Sequence, residues 1–250
     1  MDKLFPPMYT KPENHQILIT IPCLILVFIL IPMFMPIVGL GLWEQWEKSV
    51  WLEIVYHIMN GILLLFVMGN YLKDEWFMVS TNVKYYLKHV ALTVGLIVLV
   101  EALFMGTLFL LGLDFFYMAN NFPLVEMSVS HTPLAAVEYE PIFSTITASI
   151  FSPISVCALF YCLVFAPVCN YKPWLAYLSV AAITAFPAIV DILWRGEAEF
   201  VLTGYIVSLP VHLLACWSYQ KTDNVWTPML TVGFTNLLAS VLIICLLPLA

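Results

Sequence analysis

The stretch WSYQKTDNVWTPMLTVGFTN, residues 217–236, joins two strongly apolar segments through a short polar turn and then places one amide, Asn236, inside the second segment. Of the 250 residues, 62% are apolar and only 10% are charged, whereas a soluble globular chain carries about 25% charged residues. Apolar runs of about 20 residues, long enough to cross roughly 30 Å of hydrocarbon as a helix, recur along the chain. The composition therefore predicts an all-α polytopic membrane protein embedded in a lipid bilayer.

The hydropathy pattern predicts a bundle of about seven transmembrane helices. They cover residues 15–39, 51–72, 89–116, 142–169, 174–194, 199–219 and 228–249. The first apolar run is too long for a signal-peptide core and lacks a small-residue cleavage site, so we expect it to remain as a helix. The chain is interpreted as one integral membrane domain in two parts, residues 1–141 with three helices and an outer loop, and residues 142–250 with four.

The basic residues are distributed unequally between the two sides of these helices. Lysines in the connections on one side are Lys3, Lys11, Lys73, Lys84, Lys88, Lys172 and Lys221. Only Lys48 and Arg195 fall on the other side. The positive-inside rule then predicts a multi-pass protein of the bacterial cytoplasmic membrane with its N-terminus inside and its C-terminus outside. The outer connections are acidic and contribute to a net charge of -7, which argues against nucleic acid as a partner.

Ionisable residues inside apolar spans are pointers to function in such a protein. The buried polar candidates are His57, Glu101, Asp191 and His212. No helix-borne HExxH pair or set of converging ligands is apparent, so neither a metal nor another cofactor is predicted. Glu101 with His57 or His212 could form a proton relay, but a single buried carboxylate also serves as a hydrogen-bond anchor between helices, and we favour the anchor. There is no Gly-x-Ser nucleophile motif, and Asp191 is the only clear aspartate inside a span.

The turn in the opening stretch resembles a known family. Members of the CAAX prenyl protease and bacteriocin-processing family, also called CPBP or Abi, read Tyr-x-x-Thr-Gly, then Leu or Val-Trp-x-Pro-Ile, then His-x-x-x-Asn. The matching residues here are Tyr219, Thr222, Trp226, Pro228 and Asn236. The resemblance covers roughly residues 142–245 and implies a CPBP-like core in the four C-terminal helices.

The resemblance also implies where the family's chemistry would lie. Its motifs are Glu-Glu-x-x-x-Arg, Phe-x-x-x-His and His-x-x-x-Asn or Asp, in which a Glu acts as general base on water while His and Asn hold the oxyanion and the water. The corresponding degenerate positions in this sequence are Val156, Cys157, Tyr161, Phe186, Val190, Val232 and Asn236. Val and Cys cannot replace the base and the histidines, so the chain is identified as a catalytically degenerate member, and Asn236 is expected to make a hydrogen bond between helices.

These observations lead to a functional hypothesis. The chain is expected to be a non-catalytic pseudoprotease that acts as a scaffold or regulatory subunit for another membrane-anchored protein, such as a cell-wall hydrolase, a sensor kinase or an exporter. The candidate partner groove is lined by the small residues Ser152, Ser155, Ala158 and Ala185, which permit close helix approach. Two alternatives stay open: an intramembrane peptidase with an unrecognised catalytic set, and a small-solute or proton-coupled transporter subunit.

Overall fold

A computed structural model describes residues 46–110, 141–157, 161, 164–195 and 198–246. Within these ranges the chain is entirely helical, with no strand, which confirms the prediction of an all-α fold for this part of the protein. The first predicted span, most of the long outer loop, and Ala158 of the groove lie outside the described residues.

The first two helices, α1 (Trp46–Thr81) and α2 (Val83–Leu110), are separated by Asn82 alone. The hydroxyls of Ser80 and Thr81 donate to the carbonyls of Phe77 and Met78 at 2.7 and 2.8 Å, which competes with the helical ladder and ends α1. The prediction of a connection over residues 73–88 is therefore wrong in extent. Polar residues do not stop a helix, so α1 and α2 continue through this segment and turn only at Asn82.

The next segment is a helix whose middle is widened. It consists of α3 (Pro141–Ile146), a π-helical turn π1 (Thr147–Phe151) and α4 (Ser152–Cys157). The cause of the widening is Pro153, because its ring clashes with the carbonyl four residues earlier and it has no N–H to donate. The ladder shifts by one residue, and the N–H of Ser152 donates to the carbonyl of Thr147.

The remaining helices are α5 (Ala166–Tyr171), α6 (Pro173–Arg195), α7 (Ala198–Thr222) and α8 (Trp226–Leu246). Lys172 breaks α5 from α6 with an extended backbone, as expected for a residue that precedes a proline. Helix α8 is central: it packs against α1, α2, α7 and the whole α3–π1–α4 segment, while α6 packs on α7. The buried core therefore lies around α8 and the C-terminal half of α7.

Three connections meet at one end of this bundle. The hydroxyl of Tyr85, at the start of α2, donates to the carbonyl of Lys221 at 3.1 Å, and the hydroxyl of Tyr177, near the start of α6, donates to Gln220 at 2.8 Å. The lysines that the sequence assigned to one side in these connections thus do lie at a common end. Among the described residues, only Val83–Phe104 forms a helix long and apolar enough to cross a membrane, and Pro173–Ala185 and Trp226–Leu242 are shorter apolar helices.

Candidate functional site

The turn of the opening stretch is built by two residues with different tasks. Asp223 adopts a left-handed backbone with φ of 51°, and its N–H donates to the carbonyl of Tyr219 at 2.7 Å, which closes the C-terminus of α7. The side-chain oxygen of Asn224 accepts from the N–H of Trp226 at 2.9 Å, which caps the first turn of α8. The turn is thus one helix end followed directly by the next helix start.

The carboxylate that holds this turn is Glu75 of α1. Its backbone carbonyl accepts from the side-chain amide of Asn224 at 2.9 Å, and its side chain accepts from the N–H of Val225 at 3.3 Å. Glu75 is 2% exposed and Asn224 is fully buried. A buried carboxylate needs donors, and here the backbone at the start of α8 supplies one. We call Glu75, Asn224, Val225 and Trp226 the turn lock.

Trp226 completes the turn lock on its outer side. Its indole N–H donates to the carbonyl of Leu72 at 2.7 Å, and its ring meets Trp76 edge to face with centroids 5.0 Å apart. A tryptophan at this place therefore joins α8 to two successive turns of α1. The matched residues Tyr219 and Thr222 are also structural: Tyr219 packs on Phe165 and Tyr161, and the Thr222 hydroxyl donates to Ser218.

Asn236 supplies the hydrogen bond that the Ala148 carbonyl loses because of Pro153. The carbonyl of Ala148 lacks both of its usual donors, since the N–H of Ser152 donates to Thr147 instead and Pro153, five residues on, has no N–H. The side-chain amide of Asn236 donates to this carbonyl at 2.7 Å. The prediction of an interhelical hydrogen bond from Asn236 is confirmed, and its purpose is to satisfy a buried backbone group.

The approach of α8 to π1 depends on Gly233. A Cβ at this position would lie 2.6 Å from the backbone oxygen of Ser149 and 3.7 Å from Pro153. On the other side of π1, a Cβ at Gly61 of α1 would lie 2.8 Å from the ring of Phe151. Two glycines on neighbouring helices therefore allow π1 to sit between them, as small residues do in packed membrane helices.

We expect the link between Asn236 and Pro153 to appear in a double-mutant cycle. Asn236→Leu should cost about 1–3 kcal/mol of stability, because it leaves the buried Ala148 carbonyl without a donor. The same change in a Pro153→Ala background should cost at least about 1 kcal/mol less, because residue 153 then has an N–H to donate. Unfolding of the four proteins in detergent measures the coupling, and additive costs would contradict it. Leu238→Ala, at an exposed neighbouring position, is the control with little effect.

Three of the degenerate motif positions meet inside the core. Cys157, Tyr161 and Val232 are all fully buried and belong to one apolar cluster, which also contains Cys216 and Tyr219. Val156, Phe186 and Val190 lie in helices, but their side chains are outside the described residues. Cys157, Tyr161 and Val232 are thus part of the packed core, and Asn236, four residues after Val232 on α8, donates to the Ala148 carbonyl as described above.

The four buried polar candidates fall on four helices. His212 is buried on α7, and Glu101 is half-buried on α2, one turn after the fully buried Ile97. His57 lies in α1 and Asp191 in α6, and their side chains are outside the described residues. Within the part of the chain that the structure describes, there is no group of three His, Cys, Asp or Glu residues that could hold a metal ion.

The proposed groove requires one correction. Ser152 is fully buried between π1 and α4, so it cannot line a groove that is open to a partner. It lies on the inner face of a helix that packs against both α1 and α8. Ala185 is half-buried on α6, and the Ser155 side chain and Ala158 fall outside the described residues.

Glu75 is the site residue that the sequence analysis missed. It was assigned to a connection because it follows the apolar span, yet it continues a helical pattern of buried residues. The pattern comprises Leu64, Met68, Tyr71, Leu72, Glu75 and Val79. Spacings of three and four residues extended past the end of the apolar run would have placed this carboxylate on the buried face.

Comparison with known proteins adds no relative: no family model, no curated protein and no solved structure matches this chain.

Proposed function

We propose that this chain is a polytopic protein of the bacterial cytoplasmic membrane, oriented with its N-terminus inside, that binds another membrane-anchored protein and performs no hydrolysis itself. The observation that carries the proposal is the packing of Cys157, Tyr161 and Val232 into one fully buried apolar cluster. In the CPBP-like alignment these positions would hold a base, a cation and a donor around a water molecule. An apolar replacement of a buried charged set is often neutral or stabilising for a fold, so the helix bundle can persist as a binding module.

Aromatic residues and lysines at one end of the bundle support the proposed orientation. Trp174 and Tyr171 are 63% and 76% exposed, and the ammonium of Lys172 lies 5.7 Å from the centroid of the Tyr171 ring. Trp76 and Tyr85 are exposed at the same end. Exposed Trp and Tyr beside lysines are typical of the interface between hydrocarbon and cytoplasm.

The surface proposed for the partner is the outer face of α3 and π1. It consists of Ile142, Phe143, Ile146 and Ile150, which are 71%, 49%, 41% and 52% exposed. The face replaces the groove that Ser152 cannot line. One of the four, Ile150, lies on the π-helical turn, and π turns frequently occur at functional sites. A single membrane-anchored helix of a cell-wall hydrolase, sensor kinase or exporter would pack there through close contacts.

The test is a mild-detergent pull-down of the tagged chain from its native membranes, read by mass spectrometry. We expect a stoichiometric membrane-anchored partner. Replacing Ile146 and Ile150 together with Ala should weaken binding of the partner by roughly 30-fold, because truncation of well-packed interface residues costs about 1 kcal/mol or more each at hot spots. The matched control is Leu99→Ala with Leu103→Ala, at positions of α2 that are at least as exposed.

Contrary results would direct attention to the alternatives. Equal loss of the partner in both variants would reject α3 and π1 as the docking face, and recovery of the protein alone would reject the scaffold. Glu101 favours the transporter as second candidate, because it is a half-buried carboxylate within an apolar helix. In that case Glu101→Gln should abolish proton-coupled uptake in reconstituted vesicles, whereas a scaffold bearing it should still bind its partner. The peptidase alternative predicts cleavage of membrane peptides instead.

A further inference from the structure

One side of α2 is exposed along its whole described length, and its character changes along the helix. Its members, which share one face at helical spacing, are Lys84, Tyr85, Lys88, Leu92, Gly95, Leu99 and Leu103. The first three are cationic or hydroxyl-bearing and the rest are apolar. We call this surface the α2 stripe. The stripe is cationic at one end and apolar along the rest, which complements a phospholipid with an anionic headgroup and an apolar acyl chain.

The cationic end of the α2 stripe is reinforced from α7. The hydroxyl of Tyr85 donates to the backbone carbonyl of Lys221 at 3.1 Å, and its ring contacts His89 edge to face at 4.7 Å. Lys88 follows Tyr85 by three residues, nearly one helical turn, and so lies on the same side of α2 close to this contact. Two helices thus bring Lys88, Lys221 and the His89 ring together at the bundle end where the exposed aromatic residues lie.

Carboxylates lie near this end as well. Asp223 follows Lys221 by two residues, and the carboxylate of Glu75 accepts from the N–H of Val225 in the turn lock. The three lysines Lys84, Lys88 and Lys221 outnumber these two carboxylates, so this group of residues is net positive in a chain whose net charge is -7.

The apolar part of the α2 stripe has the dimensions of an acyl chain. From His89 to Leu103 the helix rises about 21 Å, which is more than the roughly 15 Å of hydrocarbon in one leaflet. Leu92, Leu99 and Leu103 are 48%, 54% and 63% exposed, and nothing lies within 4 Å of a Cβ built at Gly95. The glycine leaves a shallow gap between the leucines, along which a chain of methylene groups can lie.

We propose that Lys88 and Lys221 bind the phosphodiester of an anionic phospholipid from the cytoplasmic leaflet, whose acyl chain lies along Leu92, Gly95 and Leu99. The lipid is defined by its chemistry, a phosphate with net negative charge joined to a long apolar chain, for which phosphatidylglycerol is the probe. This inference rests on the proposed membrane location and orientation. It does not depend on the scaffold role, since the pull-down involves the α3 and π1 face on another part of the surface.

The test is a titration of the detergent-solubilised chain with phosphatidylglycerol, read as thermal stabilisation and as bound lipid in native mass spectrometry. Lys88→Gln with Lys221→Gln should weaken the apparent affinity about 30-fold, because each lysine near an anionic surface contributes about 1 kcal/mol. The matched control is Lys73→Gln with Lys172→Gln, which removes equal charge from the same end at exposed positions. Phosphatidylcholine, which has no net charge, should stabilise the wild-type chain much less.

The outcomes separate a specific site from its alternatives. Equal weakening in the two double variants would overturn the proposal in favour of diffuse attraction between lysines and lipid. Stabilisation by inorganic phosphate as strong as that by phosphatidylglycerol would overturn the lipid as the source of the phosphate. All four lysines are exposed, so without lipid the variants should unfold at the same temperature as the wild type. The quantity compared between proteins is the rise in unfolding temperature that phosphatidylglycerol causes in each.

Discussion

Gly233→Ala is expected to destabilise the chain by about 2–4 kcal/mol. The new Cβ would lie 2.6 Å from the carbonyl oxygen of Ser149, a backbone atom that cannot rotate away. Forcing a methyl group into a well-packed core costs about 1–3 kcal/mol. The separation of α8 from π1 would also lengthen the bond from Asn236 to Ala148, which contributes about 0.5–1.5 kcal/mol more. Unfolding in detergent measures the loss.

The matched control for this prediction is Gly95→Ala on α2. Nothing lies within 4 Å of a Cβ at Gly95, and the residue is exposed in the middle of a helix. Alanine is favoured over glycine in a helix interior by roughly 0.5–1 kcal/mol, so this variant should be unchanged or slightly more stable. If Gly233→Ala were tolerated as well as Gly95→Ala, the close approach of α8 to π1 would not exist.

Asn224→Ala is expected to have a comparable effect, about 2–4 kcal/mol, because it removes two functions of one side chain. The N-terminal cap of α8 is lost, at a cost of about 0.5–2 kcal/mol. The backbone carbonyl of Glu75, inside the turn lock, loses its donor, which costs about 1–3 kcal/mol for a buried group. The measurement is again unfolding in detergent, with proteolysis of the turn as a local readout.

Asn224→Ser separates the two terms. A serine oxygen can still accept from the N–H of Trp226 and so keeps the cap, but it does not reach Glu75. Its cost should be about half that of Asn224→Ala. Equal costs for both variants would show that the cap contributes nothing, and a negligible cost for both would contradict the turn lock. Asp223→Gly provides the local control, because glycine accepts the φ of 51° and should be neutral or stabilising.

The sequence predicted the helical class and the role of Asn236 but misjudged where helices end. Hydropathy counts apolar residues, whereas a helix continues for as long as its backbone is satisfied, so α1 runs on to Thr81 well beyond the apolar run. Ser152 was assigned to a groove because it is small, and small residues permit close packing on any face. Which face is buried depends on π1, which Pro153 causes, and on Gly233 and Gly61, which let α8 and α1 approach it closely.

The contacts of Glu75 and Lys221 could not be predicted from the sequence either. Neither has a sequence neighbour that predicts its partner: the partners of Glu75 follow it by 149 and 150 residues, and Tyr85 and Lys221 are 136 residues apart. Such pairs arise only when α1, α2 and α7 assemble around α8. Counting Lys and Arg assigned Lys221 to one side of the membrane, but its contact with Tyr85 and those of Glu75 depend on how each helix is rotated about its axis, which hydropathy does not predict.

The proline in α4 and the amide in α8 are tied to each other through a single backbone oxygen, and this has a consequence for how such sequences evolve. A chain that lost Asn236 first would pass through an unstable intermediate, because the Ala148 carbonyl would be stranded in an apolar interior. The proline has to change before the amide is free to change. An asparagine at this position is thus expected to persist for as long as the proline does, whatever changes around the two of them.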